Sequence, residues 1–272
     1  MKFKAIFLVF NVIIVFSMVL LFVLPTLLLD WDFSLMFWQS NWYLVLVCLM
    51  LIVGVNFFFF RYWRVYELLE QEDWDALQSF LKTEIFDKHR FRHLYIRLYI
   101  HTAIVRAKPD EISELRELLQ SRNLRQYKRF ALELGLPEIF RNDAPAMEEF
   151  FGQFIELATG ARRLWLVLLY AFSLFLQKRL EEARPHIEKV LDVAKDPLLI
   201  VMSLYIFVAY SSDDSNVKQR IADTKALLKK RYSRDAMMRI LEKGREMVVL
   251  LVLEQFVRDA IDWLYGEDYN ND

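Results

Sequence analysis

The stretch that decides the fold is WYLVLVCLMLIVGVNFFFFRYWRVYELLEQEDW, residues 42 to 74. From Trp42 to Phe60 it is apolar apart from Asn56, and at about 1.5 Å per residue such a helix just reaches across a hydrocarbon core of roughly 30 Å. Arg61 and Arg64 follow, and then Val65, Leu68 and Leu69 recur at helical spacing with no breaker in between. The stretch therefore joins a membrane helix to a helical domain.

Upstream, Ala5 to Leu29 is apolar except for Asn11, Ser17 and Thr26, which makes it longer than a single crossing needs. A Lys-bearing start before an apolar run also describes a secretory signal, but no small-x-small cleavage site follows Leu24. We read residues 1–64 as an anchor, with spans at about 5–29 and 42–60 joined by the short segment 30–41. Lys2, Lys4, Arg61 and Arg64 flank the two spans, whereas segment 30–41 has no Lys or Arg. The positive-inside rule then puts both ends of the hairpin in the cytoplasm, as expected of a protein of the bacterial inner membrane. Trp31, Trp38, Trp42 and Tyr43 are expected at the far interface, and Arg61, Tyr62, Trp63 and Arg64 at the near one. In an antiparallel hairpin Asn11 and Asn56 lie at similar depth, so a hydrogen bond between them is expected.

Six glycines and six prolines in 272 residues leave few breakers for an all-β fold, and helix is the default. A net charge of −1 gives no general attraction for nucleic acid. Cys48 is the single cysteine, which excludes an internal disulfide and any Cys-pair metal or redox motif.

From Val65 onward, shorter polar helices begin near Asp73, Pro109, Pro145, Leu180 and Asn216, roughly 35 residues apart and within the range of two-helix repeats. Longer apolar helices run between them, at about 91–107, 124–134, 164–176 and 198–210. The last two are apolar nearly all round, but 13 residues reach only about 20 Å, so they are expected to be buried between neighbours rather than to span. The breaks suit helix ends: Pro109 with Asp110 and Glu111 in a first turn, Gly135 and Pro137 as a stop, Asp143 before Pro145, and Asp196-Pro197. The fold class expected is all-α: a transmembrane hairpin at 1–64, an α-solenoid at 65–232, capping or oligomerisation helices at 233–266, and an acidic tail at 267–272.

The segment LEEARPHIEKVL, residues 180–191, resembles the second helix of a tetratricopeptide (TPR) repeat. Ala171 and Ala183 stand at the family's small-residue positions, Ile187 at its large apolar position and Pro197 near its closing proline. The segment around Trp74 is similar, with Ala76 and Phe80 at the matching places. Arg64, Ile100 and Ile112 depart from the pattern. The resemblance implies a peptide- or protein-binding scaffold and brings no catalytic residues.

No Gly-rich phosphate loop, nucleophile elbow or zinc-protease motif occurs, so no catalytic, cofactor or metal residue is assigned. His89, His93 and His101 have helical spacing, but Arg90, Arg92 and Arg97 surround them with positive charge. The basic band Lys88, Arg90, Arg92, Arg97, Arg106 and Lys108 is the candidate surface for anionic lipid or an acidic partner, with pairing to nearby acids such as Glu84 as the alternative. The function expected is a non-enzymatic, membrane-anchored scaffold that holds a protein partner at the cytoplasmic face. The alternatives are a structural subunit of a larger membrane assembly and a transport or lipid-handling component. Homo- or hetero-oligomerisation through the apolar C-terminal helix is a further expectation.

Overall fold

A computed structural model describes residues 3–29, 31–156, 161–208, 215–244 and 247–266. Among these residues every regular element is a helix. The chain divides into two compact units, Met1–Phe80 and Leu81–Asp272.

The first unit opens with α1 (Phe3–Leu29), α2 (Trp31–Ser40) and α3 (Tyr43–Glu70). The link expected at 30–41 is itself mostly helical. It contains no Gly or Pro, and Trp38 stacks on Phe22 of α1 with ring centroids 4.5 Å apart. α2 stops at Asn41, whose amide turns back to donate to the Phe37 carbonyl at 2.9 Å. α3 then runs ten residues past Phe60 without interruption. Residues Phe7–Leu24 of α1 and the whole of α3 are long and apolar enough to cross a membrane. Phe7 meets Phe59 and Trp63 at 4.9 and 5.8 Å. The antiparallel register this sets brings the Asn56 amide to Asn11 Oδ1 at 3.0 Å, as the hairpin required. Each asparagine also donates to the carbonyl four residues earlier in its own helix, Phe7 for Asn11 and Ile52 for Asn56.

α4 (Trp74–Lys82) carries the boundary between the units, and a π-turn at Thr83–Asp87 extends it. Leu77, Gln78 and Leu81 are buried, whereas Ala76 and Phe80 are only half-buried. The closest-packing face of this helix therefore lies one residue on from the one the TPR pattern assigned.

The second unit continues with α5 (His93–Val105), α6 (Asp110–Arg122), α7 (Leu124–Arg129), α8 (Ala131–Leu134), α9 (Leu136–Arg141) and α10 (Ala144–Gly152). The helix expected at 124–134 is broken at Phe130. Gly135 then separates α8 from α9, and a Cβ at that position would lie 2.4 Å from the ring of Phe151. Next come α11 (Ala161–Leu176), α12 (Leu180–Val193), α13 (Pro197–Phe207) and α14 (Ser215–Arg231). α10 packs on α11, α11 on α12, and α12 on α13. Ala171, Ala183 and Ile187 are fully buried, as close approach of α11 and α12 requires. Asp143 and Asp196 cap α10 and α13, accepting from the N–H groups of Ala146 and Leu198 at 3.1 and 3.0 Å.

Four helix ends share one geometry. Glu72, Ala107, Asn142 and Lys178 are left-handed, with φ of 53, 53, 52 and 61°. Each donates to the carbonyl three residues back, and each following residue to the carbonyl five back, as in Asp73 to Leu68 and Arg179 to Leu174. A new helix, α4, α6, α10 or α12, begins two or three positions later every time. These four turns lie about 35 residues apart.

The region 233–266, expected to hold capping or oligomerisation helices, is helical, with its last apolar run divided in two. It forms α15 (Arg234–Gly244), α16 (Val248–Val252) and α17 (Glu254–Tyr265), with α16 and α17 separated at Leu253. α16 packs on α8 and α9, more than a hundred residues earlier, and α17 on α13, α14 and α15. Phe256 of α17 meets Phe172 at 5.1 Å and Tyr205 at 5.4 Å. Val248, Val249, Leu250, Val257 and Ile261 are buried. The apolar stripe that the sequence offered to a partner is thus covered by the chain's own helices.

Candidate functional site

Perturbed ionisable groups meet in a cleft of about 160 Å³ lined by residues of α5, α8 and α11, by Phe130, and by Met247 and Val248 at the start of α16. α5 presents His93, Arg97 and Ile100 on one face, one turn apart. α8 contributes Glu133, the lone acid among Ala131, Leu132 and Leu134, all three buried. Arg162, at the start of α11, donates to the Arg129 carbonyl at 2.6 Å and lies 3.4 Å from Glu133 Oε1. Glu133 Oε2 is buried with no hydrogen-bond partner among the described residues.

Burial pushes the Glu133 carboxyl above its ordinary value, and Arg162 offsets this only in part. Burial also lowers His93, with Arg129, Arg162 and Arg97 acting in the same direction. His93 lies against Phe130 with ring centroids 5.0 Å apart. A raised acid beside a lowered base is a pattern shared by catalytic sites and buried ionic clusters. Here the lining contains no Ser, Thr or Cys nucleophile, and the volume is below the roughly 300 Å³ at which small-molecule pockets begin. The arrangement holds charge at the seat of α16.

Of the residues marked in the sequence, His93 and Arg97 line this cleft and the others lie elsewhere. His89 sits in the loop before α5 at φ 50°, so the four-residue helical spacing to His93 does not apply. The basic band is divided between that loop, α5 and the turn after it. Lys88 and Arg90 both reach the buried Glu84, at 2.6 and 2.8 Å. Burial alone would raise the Glu84 carboxyl, but these hydrogen bonds outweigh it and hold it below the usual value. Arg92 lies 5.3 Å over the ring of Tyr95, Arg106 Nη1 donates to both carboxylate oxygens of Glu111 at 2.8 and 2.9 Å, and Lys108 is exposed. Pairing within the domain thus accounts for much of the band.

In the hairpin, Trp42 and Tyr43 are exposed, and Tyr43 donates to Asn41 Oδ1 at 3.1 Å. Arg61 lies 5.7 Å over Phe57, Arg64 pairs with Glu67, Trp63 packs on Phe7, and Tyr62 is half-buried. Trp38 is half-buried against α1, while the side chain of Trp31 falls outside the described part. The Glu133 cleft escaped sequence reading because Glu133 and Arg162 are distant in the chain. The one trace of it was a single acid inside an apolar run.

The chain resembles a protein of Treponema pallidum (strain Nichols) described as an "Uncharacterized protein", at 21% identity over 161 residues, which is 59% of this chain and 51% of the relative. It thus spans about half the length of that curated relative. No solved structure matches it. A family described as "Uncharacterised Treponema protein" matches residues 111–266, from the first turn of α6 to the end of α17, so the hairpin and the basic band precede the matched region. The chain belongs to that family.

Proposed function

We propose that this protein is a membrane-anchored, non-enzymatic scaffold whose TPR-like helix pairs hold a protein partner at the cytoplasmic face of a bacterial inner membrane. The observation that carries the reading is the set of four equivalent left-handed helix ends about 35 residues apart, each followed by the start of a new helix. Repeats of one unit build an extended surface suited to partner binding rather than to chemistry. The two apolar helices support anchoring, and Lys2, Lys4, Arg61 and Arg64 favour a cytoplasmic N-terminus and domain. A hairpin anchor raises the local concentration of whatever the repeats bind.

The test is site-directed photocrosslinking in intact cells at exposed positions on separate helices, Leu124, Phe140, Val193 and Leu227. The expected result is one defined protein adduct confined to neighbouring positions. Lipid adducts alone, or no adduct at any position, would refute the scaffold reading. Deleting α16 and α17 is not a usable control, because both helices are part of the core.

A further inference from the structure

A second cleft, of about 470 Å³, opens between α11, α12 and the start of α13, within the region the family covers. Leu164 and Val167 of α11, Val193 of α12 and Leu199 of α13 make it apolar, while Arg163, Lys189, Lys195 and Asp196 supply its charge. Its size falls in the roughly 300–1,000 Å³ range of small-molecule sites. Two of the charged groups are already engaged: Asp196 caps α13, and Arg163 Nε donates to the Ile155 carbonyl at 3.0 Å. Lys189 and Lys195 are exposed and have no carboxylate partner among the described residues. Val193, 59% exposed, leaves an apolar side chain uncovered beside them.

We propose that this cleft binds a single-chain fatty-acid carboxylate, its acyl chain against Leu164, Val167, Val193 and Leu199 and its head on Lys189 and Lys195. Charge complementarity selects an anionic head, because the lining carries three cations against a single carboxylate, Asp196. The apolar walls select a hydrocarbon chain, and the limited volume favours one chain over two. A peptide backbone would need hydrogen-bond partners along its length, and the apolar walls offer none. The inference is independent of the scaffold reading.

The test uses the full chain in phosphatidylcholine nanodiscs titrated with 11-(dansylamino)undecanoate, following dansyl fluorescence. Wild type is expected to bind saturably and to release the probe to laurate but not to dodecanol or inorganic phosphate. The pair Lys189→Glu/Lys195→Glu, by losing charge-assisted contacts, and, separately, Val193→Asp, by setting an anion against the acyl chain, are each expected to weaken binding roughly tenfold or more. The pair Lys229→Glu/Lys230→Glu, an equal charge change on exposed positions of α14, is expected to leave binding unchanged. Circular dichroism checks that each variant is folded, and the exposed site of Val193 keeps that variant informative if the lysine pair fails to fold. Absence of saturable binding, equal weakening in the α14 control, unchanged binding in folded cleft variants, or displacement by dodecanol as effective as by laurate would each overturn the proposal.

Discussion

Replacing Ala107 with glycine is expected to make the protein more stable. Ala107 sits at φ 53° after α5 and is exposed, so the substitution removes no packing. An L-residue in the left-handed region costs about 1–2 kcal/mol, from clash of its Cβ with the following carbonyl, and glycine does not bear that cost. Against this stands the larger entropy of glycine in the unfolded chain, about 0.4–1 kcal/mol. The net gain is about 0.5–1 kcal/mol. Glu72 and Lys178 have the same geometry and are also exposed, so their glycine variants should gain similarly. Asn142 should gain least, since asparagine tolerates the left-handed region best. The control is Ala226→Gly, at an exposed position inside α14, which should lose about 1 kcal/mol. The assay is urea unfolding of the full chain in nanodiscs, followed by far-ultraviolet circular dichroism. Opposite signs at Ala107 and Ala226 are the diagnostic result. Destabilisation by Ala107→Gly, Glu72→Gly and Lys178→Gly alike would refute the shared helix-end geometry and the repeat reading built on it.

Three further outcomes are expected. In a double-mutant cycle of Asn11→Leu and Asn56→Leu, measured by steric trapping in bicelles, the coupling should be about 0.6 kcal/mol and no more than about 2 kcal/mol, with zero coupling showing that the contact contributes nothing in lipid. Gly135→Ala should cost about 1–3 kcal/mol in the urea assay because its Cβ collides with Phe151, and Phe151→Leu in the same chain should cost less there than it does alone. The pH dependence of stability should carry two opposed contributions from the Glu133 cleft. Glu133 has a raised folded pKa, so its contribution is complete below the unfolded value near 4.5 and is lost as pH rises through the folded value; Glu133→Gln should remove that loss and stabilise at neutral pH. His93 has a lowered folded pKa, so its contribution is present above 6.5 and is lost as pH falls through the folded value; a His93→Gln profile still falling over that range would exclude it as the source.

The helices that were legible in the sequence are those whose signals are local. Pro109, Asp143 and Asp196 mark starts by side-chain chemistry, and α11 and α13 stand out as apolar runs too short to span. The helix ends were harder to place because the four left-handed positions hold Glu, Ala, Asn and Lys, so the glycine that ordinarily announces such a turn is missing. Gly135, which does look like a stop, is small because of Phe151, a contact sixteen residues away that no local pattern encodes. The Glu133 cleft and the docking of α16 depend on distant pairings and left almost no periodic trace. The TPR alignment matched buried positions on α11 and α12, but on α4 it chose Ala76 and Phe80 where Leu77 and Leu81 are buried.

The seat of α16 has a consequence for how the chain is made. Helices α8 and α9 leave the ribosome more than a hundred residues before Val248, Val249 and Leu250, which cover them, have been synthesised. Through that interval the nascent chain carries an apolar face on α8 and α9 that α16 later covers. Synthesis at about 5–20 residues per second leaves that face open for several seconds or more, a window for chaperone binding or for misassociation between neighbouring nascent chains.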